Sequence, residues 1–182
     1  MADTSKNETF DKSTIENEAD IDKKTEIDVL KHELIQTYGL AYQGYGLNKL
    51  MGHIIGLLLF SSEPLSLDDI SEQLNMSKGP ISQIARRLHE GNQIKKIWFP
   101  GSRKDYYEIH PDLLANTFLL NMQLVHSNIL IAQRIKGDID KIDTDSLADI
   151  KERMNEMEEF YQTMEKYFTN FLEVWSKEKE SL

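Results

Sequence analysis

The sequence contains no cysteine and only four prolines in 182 residues. The absence of cysteine excludes a disulfide framework, a thiolate metal site and a cysteine nucleophile, and it suits a reducing compartment. Long apolar runs are also missing, since the longest, residues 54–60, is far shorter than the roughly 20 residues that cross a bilayer. The amino-terminal stretch is acidic and polar, unlike a secretory signal. We therefore expect an intracellular, cytoplasmic protein that makes no contact with a membrane.

Catalytic motifs are scarce as well. The five histidines are scattered, with no HExxH motif and no pair at i, i+4, so no metal site is expected. The sequence has no G-x-S-x-G, GxxxxGK[ST] or GxGxxG spacing. Its adjacent acid pairs are expected to serve as helix caps or solvated faces. We therefore predict that the protein is not an enzyme and needs no cofactor.

Positive charge is scarce overall, because the chain carries a net charge of −10, but it is concentrated in one place. Residues 76–104, here called the basic segment, contain seven lysines and arginines and one acid, which gives a local charge of +6. One basic patch on an otherwise acidic protein favours selective binding of a polyanion at that patch over non-specific binding across the surface. A solvated face is the alternative explanation of the same charges.

The chain divides into three predicted parts. Residues 1–22 are predicted to be a flexible acidic tail, because they offer too little apolar surface to offset the entropy of ordering. Residues 23–111 carry a first helix from about Thr25 to Gly39, a buried second helix and a short third helix. Ser66 caps the third helix, with an acid three residues on in a capping-box arrangement. Residues 112–182 are predicted to form a helical dimerisation arm.

A fourth helix and a β-hairpin follow the third helix. Ser77 is a suitable N-cap for the fourth helix, and Pro80 falls in the first turn, where it is tolerated. The stretches QIKKIWF and DYYEI are typical of two strands joined by a turn, PGSRK, with basic residues at its tip. The predicted fold class is therefore mainly α: a winged helix-turn-helix domain with a small β-hairpin wing, followed by long C-terminal dimerisation helices.

The outer face of the fourth helix and the wing carry the candidate DNA contacts. An inward apolar stripe on this helix leaves polar groups on the opposite side. Arginine and glutamine make paired hydrogen bonds to guanine and adenine edges in the major groove, and the amides of a helix start hold a phosphate. The cations of the wing are expected to reach the adjacent minor groove or backbone. The predicted contacts are Lys78, Gly79, Ser82, Gln83, Arg86, Arg87, Lys96, Arg103 and Lys104.

The last long helix has the cleanest periodicity in the chain. Its apolar residues alternate at spacings of three and four over roughly 45 Å. Such a seam predicts pairing of two copies of the chain in a homodimer, and the alternative is an intramolecular hairpin of the two C-terminal helices. The seam residues, predicted to mediate dimerisation, are Leu147, Ile150, Met154, Met157, Tyr161, Met164, Phe168, Phe171 and Trp175.

Residues 64–113, PLSLDDISEQLNMSKGPISQIARRLHEGNQIKKIWFPGSRKDYYEIHPDL, resemble the winged-helix region of GbsR/MarR-type transcriptional regulators, where a pattern MSKG-S-S---R-L---G-V-KV---G-RKDYYE is typical. The upstream YGLAYQGYGLNKLMGHIIGLLLF is similar to a helix of that family, so the resemblance covers most of residues 25–136. It implies a dimeric bacterial or archaeal DNA-binding regulator, usually a repressor, with some members tied to osmoprotectant uptake or synthesis. By position, it implies DNA contacts from Ser77, Lys78, Ser82, Arg86, Arg87, Arg103 and Lys104.

These observations predict a homodimeric, sequence-specific transcriptional repressor that binds double-stranded DNA at an inverted-repeat operator. A small osmoprotectant-like effector is a further prediction, because ring faces attract quaternary ammonium groups; packing of the same aromatic residues in a core is the alternative. A rival function from another class is a protein–protein interaction scaffold built on the winged helix and the arm. The aromatic residues considered for the effector are Tyr38, Tyr42, Tyr45, Tyr161, Tyr167, Phe168 and Trp175.

Overall fold

The computed structural model of the protein describes residues 12–142 and 145–181. The helices are α1 (Lys12–Gly44), α2 (Lys49–Phe60), α3 (Leu67–Gln73), α4 (Lys78–Glu90), α5 (Leu113–Ile139) and α6 (Ala148–Lys179), and a 3-10 turn (Asp145–Leu147) precedes α6. The strands are β1 (Leu65–Ser66), β2 (Ile94–Ile97) and β3 (Tyr106–Ile109). The predicted fold class, a mainly helical winged helix-turn-helix protein with a small sheet and long C-terminal helices, is confirmed.

The chain forms two compact units. The first contains residues 12–89 and 94–109 of the described chain, and it holds the helix-turn-helix and the wing. The second contains residues 90–93 and the chain from residue 110 onward, and it holds the two C-terminal helices. The three-part division at residues 22 and 111 stays a prediction. Among the described residues, no helix combines the length and the apolar character needed to cross a bilayer.

Helix α1 is longer than predicted at both ends. It begins at Lys12, so residues 12–22 of the predicted flexible tail are helical, and the other residues of that tail lie outside the described residues. It ends at Gly44 rather than at Gly39. Residues 12–38 contain no proline and no glycine, so the stretch has no residue type that interrupts a helix.

Close packing of α1 on α2 explains why Gly39 does not end the first helix. A Cβ atom on Gly39 would overlap the ring of His53, and a Cβ atom on Gly52 would overlap the backbone carbonyl of Tyr38. Only a residue without a side chain lets the two backbones approach this closely. The glycine therefore serves helix packing here, a role that depends on a neighbouring helix and not on the local sequence.

Helix α2 supplies most of the core of the first unit. Between Leu50 and Leu58 every residue except His53 is buried, as expected for a helix that is apolar on nearly all sides. Helices α3 and α4 and strand β2 add one apolar face each. Fully burying an aliphatic side chain contributes about 1.5–3 kcal/mol. The large apolar side chains with almost no exposed surface are Ile54, Ile55, Leu57, Ile70, Ile81, Leu88 and Ile94.

The wing is the hairpin of β2 and β3, residues 94–109. The two strands pair antiparallel as predicted, with Ile94 opposite Ile109. Strand β1 pairs with the other edge of β3, with Leu65 opposite Tyr107, so the sheet order is β1-β3-β2. The sequence did not predict β1, because two residues show no alternation. This strand places the start of α3 beside the wing.

In the second unit, α5 and α6 pack against each other in antiparallel directions. The rings of Phe118 and Phe168 lie 4.7 Å apart, and the Gln133 side chain donates a hydrogen bond of 2.8 Å to Glu158. This is the intramolecular hairpin that the sequence left open as an alternative. Most of the predicted seam is half-buried, and Leu147 lies in the 3-10 turn before α6. The assignment of the seam to a dimer interface stays a prediction.

We predict that Gly52→Ala lowers the free energy of unfolding by about 1–3 kcal/mol, because the added methyl group overpacks the contact with α1. Urea denaturation of the full chain measures the change. Gly137→Ala in α5 is the matched control, since no atom lies within 4 Å of the added Cβ. The control should raise the free energy of unfolding by about 0.5–1 kcal/mol. Equal effects of the two substitutions would contradict the packing role of Gly52.

Candidate nucleic-acid interface

Helix α4 buries one face and exposes the other. Its buried residues are Ile81, Ile84, Ala85 and Leu88, so the predicted inward stripe is confirmed. The opposite face is polar and cationic, and its Gly79 position is open, with no atom within 4 Å of an added Cβ. Ser82 is half-buried, and the other predicted contacts of this region are exposed: Ser77, Lys78, Gly79, Gln83, Arg86 and Arg87.

Local hydrogen bonds fix the start of α3, and an asparagine reverses the chain after its end. The Ser66 amide donates to Asp69 Oδ2 at 2.8 Å, and the Asp69 amide donates to Ser66 Oγ at 3.2 Å, so the predicted capping box is confirmed. After α3, Asn75 adopts a left-handed conformation with φ of 50°, which asparagine tolerates better than most residues. The chain thereby reverses within a few residues and starts α4 at Lys78.

The wing is fixed at its base and in its loop. Lys96 Nζ lies 2.8 Å from Asp105 Oδ2, and this hydrogen bond raises the pKa of Lys96. In the loop, the Ser102 amide donates to the carbonyl of Phe99 at 3.1 Å, and Gly101 adopts the positive φ of 82° that this turn requires. The wing therefore holds its exposed side chains on an ordered loop.

One carboxylate, Asp68, joins two of the predicted DNA contacts. Lys78 Nζ lies 2.5 Å from Asp68 Oδ1, and Lys104 Nζ lies 2.9 Å from Asp68 Oδ2. Hydrogen bonds from the two lysines lower the pKa of Asp68 from 3.8 to about 2, and Asp68 in turn raises the pKa of Lys104. Arg103 lines the same small cavity of about 250 Å³. The start of α4 and the wing are thus tied to α3 by one acid.

The arginines of the basic segment are not neutralised in this way. Within the described part of the chain, no carboxylate lies within 4.0 Å of the guanidinium groups of Arg86, Arg87 or Arg103. All three side chains are exposed. The structure therefore divides the predicted cations into lysines that pair with carboxylates of their own chain and arginines that do not. The role of both groups in DNA binding stays a prediction.

The aromatic residues considered for an effector pocket fall in both units. Tyr38 and Tyr42 lie in α1 with ring centroids 6.5 Å apart, and Tyr45 is exposed just after this helix. In α6, Phe168 packs against Phe118 of α5. At this position the structure therefore shows packing between helices, the alternative to an effector pocket. The response to an effector stays a prediction.

The chain matches no family model, but it is similar to several characterised proteins. It is 26% identical over 144 residues to the HTH-type transcriptional repressor OpcR of Bacillus subtilis, a match that covers 74% of this chain and 78% of that protein. It is 27% identical over 129 residues to the HTH-type transcriptional repressor GbsR of the same organism, covering 66% of this chain and 68% of GbsR.

The resemblance to GbsR/MarR-type regulators is confirmed. A crystal structure of a transcriptional regulator has the same fold, with a TM-score of 0.60 and 22% sequence identity over 81% of this chain and 98% of that one. The likeness to this solved structure is one of fold.

We predict that Asp68→Asn strengthens binding to duplex DNA by about 3- to 10-fold, because it releases Lys78 and Lys104 and removes a negative charge that repels phosphates. Fluorescence anisotropy with a labelled duplex measures the affinity. Glu63→Gln is the control, since it removes one exposed negative charge of the same unit. If Asp68→Asn changes the affinity for DNA no more than this control does, Asp68 does not compete with DNA for the two lysines.

Proposed function

We propose that this protein is a sequence-specific DNA-binding transcriptional regulator that acts as a homodimer in the cytoplasm and represses its target genes. One observation carries the proposal: exposed guanidinium groups on α4 and on the wing have no carboxylate partner among the described residues, on a chain with a net charge of −10. The names of OpcR and GbsR, both repressors, support repression.

The outer face of α4 supplies the chemistry for base recognition. Gln83 and Arg86 are three positions apart and therefore neighbours on one helix face. An α-helix fits the major groove, where arginine makes paired hydrogen bonds with guanine and glutamine with adenine. Arg87, at the edge of the same face, suits a phosphate contact. We expect the protein to recognise specific bases through Gln83 and Arg86.

The wing supplies a second contact to the same duplex. Arg103 is exposed on its loop without a carboxylate partner in the described chain, and it suits a contact with the minor groove or with the adjacent phosphates. Salt bridges to Asp68 and Asp105 hold the start of α4 and the wing in place; they are formed by Lys78, Lys96 and Lys104. When DNA binds, its phosphates compete with these two carboxylates for the lysines.

Exposed apolar groups in the second unit support a homodimer. Besides the half-buried seam, α6 carries a second apolar stripe at spacings of seven, formed by Phe160, Tyr167 and Val174 and between 49% and 66% exposed. Leu124 of α5 is also 66% exposed. Apolar stripes with heptad-like spacing are usually covered by another helix, and a second copy of the chain is the partner we propose. Two copies of α4 favour an inverted-repeat operator.

A small organic cation is the effector that we propose for this regulator. A cavity of about 510 Å³ in the second unit is lined by Trp175 and Leu119, by the acids Asp112 and Glu180, and by Lys179, which forms a salt bridge with Asp112. Glu180 is therefore the carboxylate that we propose to act with the face of Trp175, a combination that suits a quaternary ammonium group. Trp175 is one of the aromatic residues that the sequence suggested for this role.

We predict that Arg86→Ala lowers affinity for the operator by about 5- to 100-fold and weakens discrimination among bases at one position in each half-site, because a bidentate contact is lost. The operator is obtained by selecting duplexes from a random pool with the full chain, and gel shifts measure the affinity. Arg153→Ala is the matched control, since Arg153 is exposed on α6.

The control should bind like the wild type. Failure of the wild-type chain to enrich any duplex sequence would refute the proposed function and favour the rival, a protein–protein interaction scaffold. If the wild-type chain enriches a duplex sequence and Arg86→Ala binds it with unchanged affinity and base specificity, the proposed role of α4 is refuted.

We predict that the wild-type chain sediments as a dimer of twice its 21.1 kDa mass and that Phe160→Glu sediments as a monomer, because the new charge cannot be buried in an apolar interface. Analytical ultracentrifugation at micromolar concentration measures both. Thr163→Glu adds the same charge at an exposed polar position of α6 and should remain dimeric. A monomeric wild type would contradict the dimer, whatever the variants do.

A further inference from the structure

Trp98 is an exposed indole at the start of the wing loop. Its side chain is 72% exposed, whereas the next residue, Phe99, packs edge-to-face on Tyr106 with ring centroids 4.8 Å apart. In the described chain, no ring contact covers Trp98. The DNA contacts proposed above for α4 and for the wing cations do not include Trp98. A single exposed apolar residue is common on protein surfaces, so its surroundings must decide what it does.

The loop that carries Trp98 is held by hydrogen bonds of its own. The Ser102 amide donates to the Phe99 carbonyl at 3.1 Å, and the Lys104 amide donates to Ser102 Oγ at 3.1 Å. The Phe99–Tyr106 ring contact anchors the residue next to Trp98 on strand β3. A side chain on an ordered loop loses little entropy when it binds, which favours its use as a contact.

The charge around Trp98 favours a nucleic acid as the partner. The wing carries four cations against the two acids Asp105 and Glu108, so it is positive on an acidic protein. Arg103, on the same loop, has no carboxylate partner among the described residues. The minor groove presents apolar deoxyribose walls and base edges between two rows of phosphates, and apolar side chains enter it as wedges at base steps. Trp98 and Arg103, both exposed on one loop, match that mixture of apolar and anionic surface.

We propose that Trp98 is a DNA contact that selects sequence by deformability: its indole packs against deoxyribose and an opened base step in the minor groove, while Arg103 binds an adjacent phosphate. This inference rests on the proposed function. Pyrimidine–purine steps open most easily, so the selected duplexes should carry a TA or CA step where each wing lies.

The first test follows the accessibility of Trp98 in solution. The chain has two tryptophans, so Trp175→Phe leaves Trp98 as the only indole. With the duplex selected by the wild-type chain, acrylamide quenching of Trp98 fluorescence should fall several-fold on binding. Trp98→Phe, which keeps Trp175, is the control and should show no such protection. The wild-type chain, titrated in parallel, shows whether the Trp175→Phe change itself alters affinity.

The second test measures affinity for the same duplex. Trp98→Ala should weaken binding about tenfold, because loss of an aromatic contact to DNA removes about 1.4 kcal/mol, and Trp98→Phe should recover part of it. When a stiff A-tract step replaces the TA or CA step, the wild type should bind the changed duplex less tightly than the selected duplex. Trp98→Ala should bind the two duplexes with equal affinity. Ile142→Ala, at a 58% exposed apolar residue outside the wing, is the control and should bind like the wild type.

The outcomes separate this inference from the proposed function. The inference is overturned if Trp98→Ala binds the duplex as tightly as the wild type does, or if acrylamide quenches Trp98 as strongly in the complex as in the free protein. Both results leave the proposed function standing if Arg86→Ala still loses specific binding. A wild-type chain that enriches no duplex overturns the proposed function, and the role of Trp98 with it.

Discussion

Burial of one face of α4 is the constraint on which the rest of the interface depends. Ile81, Ile84, Ala85 and Leu88 are at most 6% exposed, and burying each of the larger side chains contributes about 1.5–3 kcal/mol. A rotation of the helix by one residue, about 100°, would expose this surface and bury polar groups without partners, at a further cost of roughly 1–3 kcal/mol each. The direction in which Arg86 points therefore follows from apolar packing on the opposite side of the helix.

Electrostatics then separates the two kinds of cation, for which we propose different tasks. Lys78 and Lys104 meet at Asp68, and this shared acid links α3, the start of α4 and the wing. Exposed ion pairs of this kind contribute little to stability, so in the complex that we propose the phosphates replace the carboxylate. The arginines have planar guanidinium groups that bind in pairs of parallel hydrogen bonds, which suits base recognition better than a lysine does. Positioning by lysine and recognition by arginine are thus compatible on one small surface.

The sequence predicted what short-range patterns determine. The cap at Ser66, the stripe of α4 and the hairpin each depend on residues a few positions apart, so the structure agrees with the prediction there. Gly39 was misassigned as a helix end, because its function depends on His53 in another helix. The pairing of Asp68 with Lys104 joins residues far apart in the chain, which no local pattern reveals. The second apolar stripe of α6 was overlooked because the stronger seam beside it has the same spacing.

The salt dependence of operator binding tests the central claim most directly, because it counts the phosphates that exposed cations neutralise. If each protomer of a dimer neutralises about three phosphates, the logarithm of the association constant should fall linearly against the logarithm of the salt concentration, with a slope near −5. A slope close to zero would mean that the cations of α4 and the wing meet no phosphate, and it would contradict the account.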